Sequence, residues 1–263
     1  CLLSRGLGDV YKRQNIFFAI ALVVGIGFFV MNILKLIRNI KLGKDIDRSD
    51  RKIERWKNMA RIALGQSKMV SRPFAGFLHV IVYIGFVVIN IEVLEIVIDG
   101  LFGTHRVFQP LLGNTIYGFL IGTFEILAFL VLVAVILFWL RRNIVQLKRF
   151  MSKEMKGWPK SDGNLILYFE IVLMSLFIVM NATDHTFQEA NIGNPISQFV
   201  GPWFSGYSLE TLATIEHTAW WVHIIGILIF LNYLYYSKHL HILLAFPNTF
   251  FANLGPKGQF NNL

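Results

Sequence analysis

The chain has one cysteine, Cys1, in 263 residues. A disulfide framework and an all-cysteine metal site are therefore excluded, and these residues cannot hold an iron–sulfur cluster. There is no glycine-rich phosphate loop, no nucleophile paired with a base and no zinc-ligand spacing. No internal repeat is visible, so the inverted halves common in transporters are lacking. Charge is also scarce. Only 16% of residues are charged and 55% are hydrophobic, which is too apolar for an ordinary soluble domain. The formal charge of +9 could point to nucleic acid, but the basic residues sit in two loops between apolar runs, which argues against it.

What the chain does have is long apolar runs. Five of them, at 16–37, 74–98, 115–140, 165–182 and 218–236, are near the roughly 20 residues that cross a bilayer. Loops 38–73 and 141–160 are rich in Lys and Arg, whereas loops 99–114 and 183–217 hold Arg106 alone. The positive-inside rule places the two basic loops in the cytoplasm. The expected fold is an all-α integral membrane bundle of five helices, N-terminus outside and C-terminus cytoplasmic. Within loop 38–73, Ile53, Trp56, Met59, Ala60 and Ala63 recur at helical spacing. This predicts a cytoplasmic amphipathic helix that lies on the inner leaflet or docks a soluble partner. The Asn-Pro and Gly-Pro steps and Trp203 of loop 183–217 predict a short lid or a plain connection.

The ends differ from the rest. Residues 1–14, CLLSRGLGDVYKRQ, have no apolar periodicity and resemble translated sequencing-adapter read-through, so they are set aside from the fold. The domain expected is 15–247, with 248–263 as the start of a linker to a further cytoplasmic domain.

The last apolar run carries His223 and leads to His239 and His241. His223 and His241 are eighteen residues apart, about five turns of a continuous helix, which would put them on one face with roughly 27 Å of rise between them. His239 is two residues off that register and would point elsewhere, though it stays among the candidate cofactor-binding residues. His79 lies in the inner half of span two, at the depth of His241. Facing helices can supply the two axial nitrogens of a six-coordinate b-type haem, so His79 and His241 are candidate haem-iron ligands. The bland alternatives are a bundle histidine bonded to neighbouring backbone and an interfacial histidine in a basic tail. His223 is a candidate for a second haem iron or for a quinone carbonyl. The position about ten residues beyond His79 is Ile89, which does not ligate, leaving His185 and His217 as substitutes. His105 reads as a loop histidine.

Glu92, Glu125 and Glu170 fall in or near spans, where a carboxylate marks a proton or quinone path by default. A structural hydrogen bond between helices accounts equally well for Glu125. Glu170 is placed to bond the His79 ring. Arg72, Arg141, Arg142 and Lys238 cluster at the inner boundary, where they serve topology or would pair with haem propionates. Gly85 and Gly226 permit close helix packing or make room for a porphyrin.

The stretch VHIIGILIFLNYLYYSKHLHILLAFP, with His223, Gly226, Ser237, Lys238 and His241, resembles the last membrane helix of the respiratory nitrate reductase gamma subunit family. FLHVIVYIGFVVIN resembles that family's second helix, with His79 at its inner haem ligand and Ile89 where the family has a second histidine. The long basic first loop and the YYSKHLHILLAFPNTFFANLGPKG tail are closer to membrane domains fused to heterodisulfide-reductase-like iron–sulfur proteins, including electron-transfer-flavoprotein:menaquinone oxidoreductases. The resemblance implies one or two haem b groups and menaquinone or ubiquinone as substrate. It also implies iron–sulfur clusters only in a further C-terminal part, electron transfer flavoprotein as a partner, and the bacterial inner membrane. The expected function is electron transfer between an iron–sulfur partner and the quinone pool. A non-redox anchor or a small haem-free transporter is the alternative.

Overall fold

The computed structural model describes residues 2–69 and 71–256, with side chains described from residue 14 onward. No strand occurs among the described residues. Nine α-helices follow in order: α1 Leu2–Ile40, α2 Lys52–Met59, α3 Pro73–Phe102, α4 Phe108–Asn143, α5 Trp158–Thr183, α6 His185–Ala190, α7 Ser197–Val200, α8 Leu209–Tyr233 and α9 His241–Phe250. Five of them, α1, α3, α4, α5 and α8, are long and apolar enough to cross a membrane.

Local chemistry sets the ends. Pro73 and Pro159 stand in the first turns of α3 and α5, where a missing N–H costs nothing. Gly103, at φ 68°, ends α3 in the left-handed conformation glycine adopts freely. Ser208 caps α8 by accepting from the Thr211 N–H at 3.2 Å. That cap starts α8 nine residues before the apolar run of the sequence, so the lid between α5 and α8 is shorter than 183–217. Gly113, at φ 74° and ψ 158°, interrupts α4 just before its apolar stretch.

The five long helices close a ring in which α3 packs on α4, α4 on α5, α5 on α8, α8 on α1, and α1 back on α3. α3 and α8 therefore stand opposite one another. The loops after α1 and α4 share one end of the bundle with α9; this is the basic end. The segment 184–208 with α6 and α7 covers the other, the lid end. The core gathers toward the lid end, around Phe18, Ile96, Tyr117, Ile121, Phe124, Phe177 and Ile224. Many apolar side chains on the outside are exposed, among them Phe17, Val23, Phe28, Val87, Phe119 and Val172. In water such a surface would cost about 25 cal/mol per Å², and against lipid tails that cost vanishes.

The close approaches explain the glycines. A Cβ on Gly226 would lie 2.8 Å from Leu173, and one on Gly85 would strike Val131. Both serve helix packing, and neither faces an open porphyrin-sized gap.

A helix does form between the first two spans, and it packs on α9. Trp56 meets Phe250 edge-on at 5.2 Å, and Asn58 donates to the Thr249 carbonyl at 2.6 Å. Its buried residue is Arg55, which donates to the Phe250 and Ala252 carbonyls at 3.1 and 3.0 Å, while Ile53 and Trp56 are exposed. α9 continues to Phe250, past the boundary expected at 247, and residues 257–263 of the expected linker lie outside the described residues.

Candidate functional site

Three histidines come together at the basic end. His239 and His241 pack with ring centroids 5.6 Å apart, and His239 also meets Phe230 at 5.7 Å. His79 lies within electrostatic range of both tail histidines. His79 and His241 thus lie at the same end of the bundle. The expected five-turn register does not hold. α8 ends at Tyr233, two 3₁₀ turns follow, and Ser237 is extended at φ −107° and ψ 167°. The break folds the tail back, so His239 joins the cluster instead of pointing elsewhere.

Asp162 of α5 holds that break. Its buried carboxylate accepts from the Tyr233 hydroxyl and from the Lys238 N–H at 3.1 Å. Lys238 Nζ donates to the Pro159 carbonyl at 2.8 Å, and the Ser237 hydroxyl accepts from the His239 N–H. Asp162→Ala is expected to leave buried donors unpaired and cost about 1–3 kcal/mol. Denaturant unfolding in detergent measures this, and an unchanged midpoint would contradict it.

The imidazoles differ in what they bond. His241 Nδ1 lies 2.8 Å from the Lys238 carbonyl, which only accepts, so Nδ1 carries the proton and Nε2 the lone pair. His223 is fixed the same way by the Leu173 carbonyl at 3.0 Å. Binding one ring nitrogen to a carbonyl is how metal-ligating histidines are oriented. His79 Nδ1 and His239 Nδ1 are buried with no hydrogen-bond partner among the described residues. Burial, and then the neighbouring His241, pushes His239 down to about 4, so its ring is neutral at pH 7. The expected Glu170 to His79 bond is not formed at Nδ1, and no hydrogen bond or neighbouring charge acts on Glu170 among the described residues. Arg141 Nη1 and Arg142 Nε are likewise buried and unpartnered at this end.

His223 is buried against Phe177, with no second imidazole beside it. Ile89 is core, His217 bonds Gln14, and His185 pairs with Glu189 at the surface. No group of three or more His, Cys, Asp or Glu among the described residues is arranged to hold a metal ion.

At the lid end the structure builds a network that the sequence reading missed. Arg106 is buried and donates to Asp184 at 2.9 Å, Asn181 at 3.1 Å and the Tyr117 hydroxyl at 3.3 Å, with its guanidinium 3.9 Å over the Phe187 ring. The signal was present: Arg106 is the one basic residue in either loop of that side. Glu125 is fully buried and accepts from Asn181 at 3.0 Å and from the Ile196 and Ser197 N–H groups at 2.9 and 3.0 Å. It pins the lid to the bundle, the structural alternative weighed for it.

His105 lies 3.3 Å from Asp184. The Asp184 hydrogen bond raises the His105 pKa against the opposing effect of burial. Burial alone would raise Asp184, but His105 and Arg106 outweigh it and hold that carboxyl well below the usual range. A raised His contributes stability below its ordinary value of about 6.5, lost as pH rises through its folded value. A depressed Asp contributes stability above about 3.9, lost as pH falls through its folded value. Both contributions are present between about pH 4 and 6.5. We expect thermal stability in detergent to decline above that interval, and Asp184→Asn to remove that alkaline decline. An identical decline in the variant would contradict the pairing.

No protein-family model matches the chain, and no solved structure gives a significant match. Two curated proteins are similar along nearly its whole length. One is the "Probable iron-sulfur-binding oxidoreductase FadF" of Bacillus subtilis, 27% identical over 94% of this chain. The other is the "EtfAB:quinone oxidoreductase" of Syntrophomonas wolfei, 22% identical over 91% of this chain. The chain spans about a third of the length of each, 34%. Both of these relatives are named as oxidoreductases.

Proposed function

We propose that this chain is a membrane electron-transfer module that passes electrons between an iron–sulfur partner or domain and the quinone pool through one haem b. The observation that carries the reading is the gathering of His79 of α3 with His239 and His241 of the folded-back tail at the basic end. The name of the Syntrophomonas wolfei relative supports the quinone and electron transfer flavoprotein link, and that of the Bacillus subtilis relative the iron–sulfur link. Electrons run toward menaquinone, and the chain sits in a bacterial inner membrane with the basic end cytoplasmic.

The residues present fit a haem. His79 and His241 are the residues that would hold its iron. His79 brings an imidazole whose Nδ1 is unpartnered, and His241 one whose Nδ1 is held by backbone. His239 packs against His241 and keeps its ring in place. The unpartnered guanidinium nitrogens of Arg141 and Arg142 suit propionate carboxylates. When bound, the haem supplies reversible one-electron carriage; the protein supplies ligation, burial and charge. His223 lacks a second imidazole, so a single haem is proposed, with His223 bonding Leu173 across the α5–α8 interface. Glu170 remains the candidate for a proton or quinone role, because it is a carboxylate in a span with no partner.

The quinone link is tested by adding a naphthoquinol anaerobically to the purified chain. The expected result is reduction of the haem absorbance by the quinol as well as by dithionite. Reduction by dithionite alone would overturn the quinone link and leave the haem site standing.

A further inference from the structure

At the lid end, α3 carries Glu92, Glu95 and Asp99 one turn apart, at i, i+3 and i+7. Glu92 and Glu95 are 4% and 2% exposed. Such spacing stacks side chains along one helix face, with about 5–6 Å between neighbouring Cβ atoms.

The surroundings treat the three differently. Asp99 accepts from the Thr104 hydroxyl at 2.5 Å and the Arg106 and Val107 N–H groups at 2.7 and 3.2 Å. Glu95 accepts from the Phe108 N–H at 2.8 Å and the Tyr117 hydroxyl at 3.0 Å. These two therefore satisfy free N–H groups at the start of α4, where a helix end favours negative charge. Glu92 has no hydrogen-bond donor or ion pair of its own among the described residues. Its carboxyl stands one turn from Glu95 on the same helix face, and its Oε2 is buried with no partner among the described residues.

A carboxyl buried this deeply without a donor is accommodated with its proton on, since the charged form would go unsolvated. The charge balance agrees. Arg106 is the one fixed cation of the network among the described residues, and it is already paired with Asp184. An additional unpaired carboxylate in this interior would cost several kcal/mol. The other titratable groups around the ladder are Tyr117 from α4, Arg106 and His105 from the loop and Asp184 after α5, with Glu216 of α8 and the polar Gln14 and Asn15 of α1 lining the same cavity as Asp99.

The ladder ends at water. A cavity of about 880 Å³ opens at the lid end, lined by Asp99, His105, Asp184, Glu216, Trp220 and Trp221 among others. We propose that Glu92, Glu95 and Asp99 form a proton relay that connects the interior of the bundle with this aqueous cavity. At each hop an O–H bond breaks on one carboxyl and forms on the next, and the net result is one proton moved between the cavity and Glu92. The inference does not depend on haem binding.

The test is infrared spectroscopy of the full chain in lipid nanodiscs on exchange into D₂O. A protonated carboxyl band is expected at neutral pH, and Glu92→Gln should remove it. In Asp99→Asn and Glu95→Gln the band should remain and its deuterium shift should slow by roughly tenfold, since only local opening then admits water. Absence of any protonated carboxyl band in the parent would overturn the proposal. So would equally fast exchange in both variants, which would leave the cluster as a cap for α4. An Asp99→Glu chain, which keeps a carboxyl at the cavity, should exchange as fast as the parent, which separates loss of the relay from loss of folding.

Discussion

Arg106→Ala is expected to destabilise the chain by about 3–5 kcal/mol, the cost of removing one partner from a buried charged pair. The guanidinium neutralises Asp184, donates to Asn181 and Tyr117, and covers the Phe187 ring. Its loss leaves a buried carboxylate and two buried oxygens short of a donor. It also loosens the lid, because Asn181 passes the network on to Glu125 and so to the Ile196 and Ser197 backbone. Arg106→Lys keeps the charge but not the fork that reaches three partners, so it should recover only part of the loss. Denaturant unfolding in detergent reads both variants. A loss below about 1 kcal/mol for Arg106→Ala would mean that the network is open to water and worth no more than a surface pair.

His79→Ala is expected to abolish haem binding while leaving the helices intact. The ring is half-buried on α3, and its Nδ1 makes no hydrogen bond among the described residues, so its removal deletes no hydrogen bond at that atom. His241 is exposed and among the described residues bonds the Lys238 carbonyl three positions before it, so His241→Ala should likewise cost little stability. Both variants should therefore carry no haem and melt close to the haem-free parent. His239→Ala should weaken haem retention without abolishing it, because it removes the ring packed against His241. Haem content after purification, with helical circular dichroism as the control, measures this. Full haem content in His79→Ala would remove α3 from the site. Complete loss in His239→Ala with retention in His241→Ala would exchange the roles of the two tail histidines.

The spans were readable because apolar length is a property of the local sequence: the runs beginning at Ile16, Phe74, Thr115, Leu165 and Thr218 all fall in membrane-length helices. The meeting of His79 with the tail histidines was readable from topology alone, since α3 and α8 run in opposite directions. The shape of the tail was not. Its break at Ser237 depends on Asp162 of α5, and no periodicity within the tail reports a carboxylate supplied from another helix. The lid-end network was hidden for the same reason. Glu95 and Asp99 look like the polar end of an apolar span until α4 is seen to start against them. Glu125 could be recognised as unusual, but its two backbone donors come from the lid, which the sequence offered only as a loop.

The most direct measurement is a reduced-minus-oxidised optical spectrum of the purified chain, expressed with ample haem and quantified as the pyridine haemochrome. The account predicts a b-type spectrum with one haem per chain. A well-folded chain without haem would contradict it and leave a non-redox membrane module in its place.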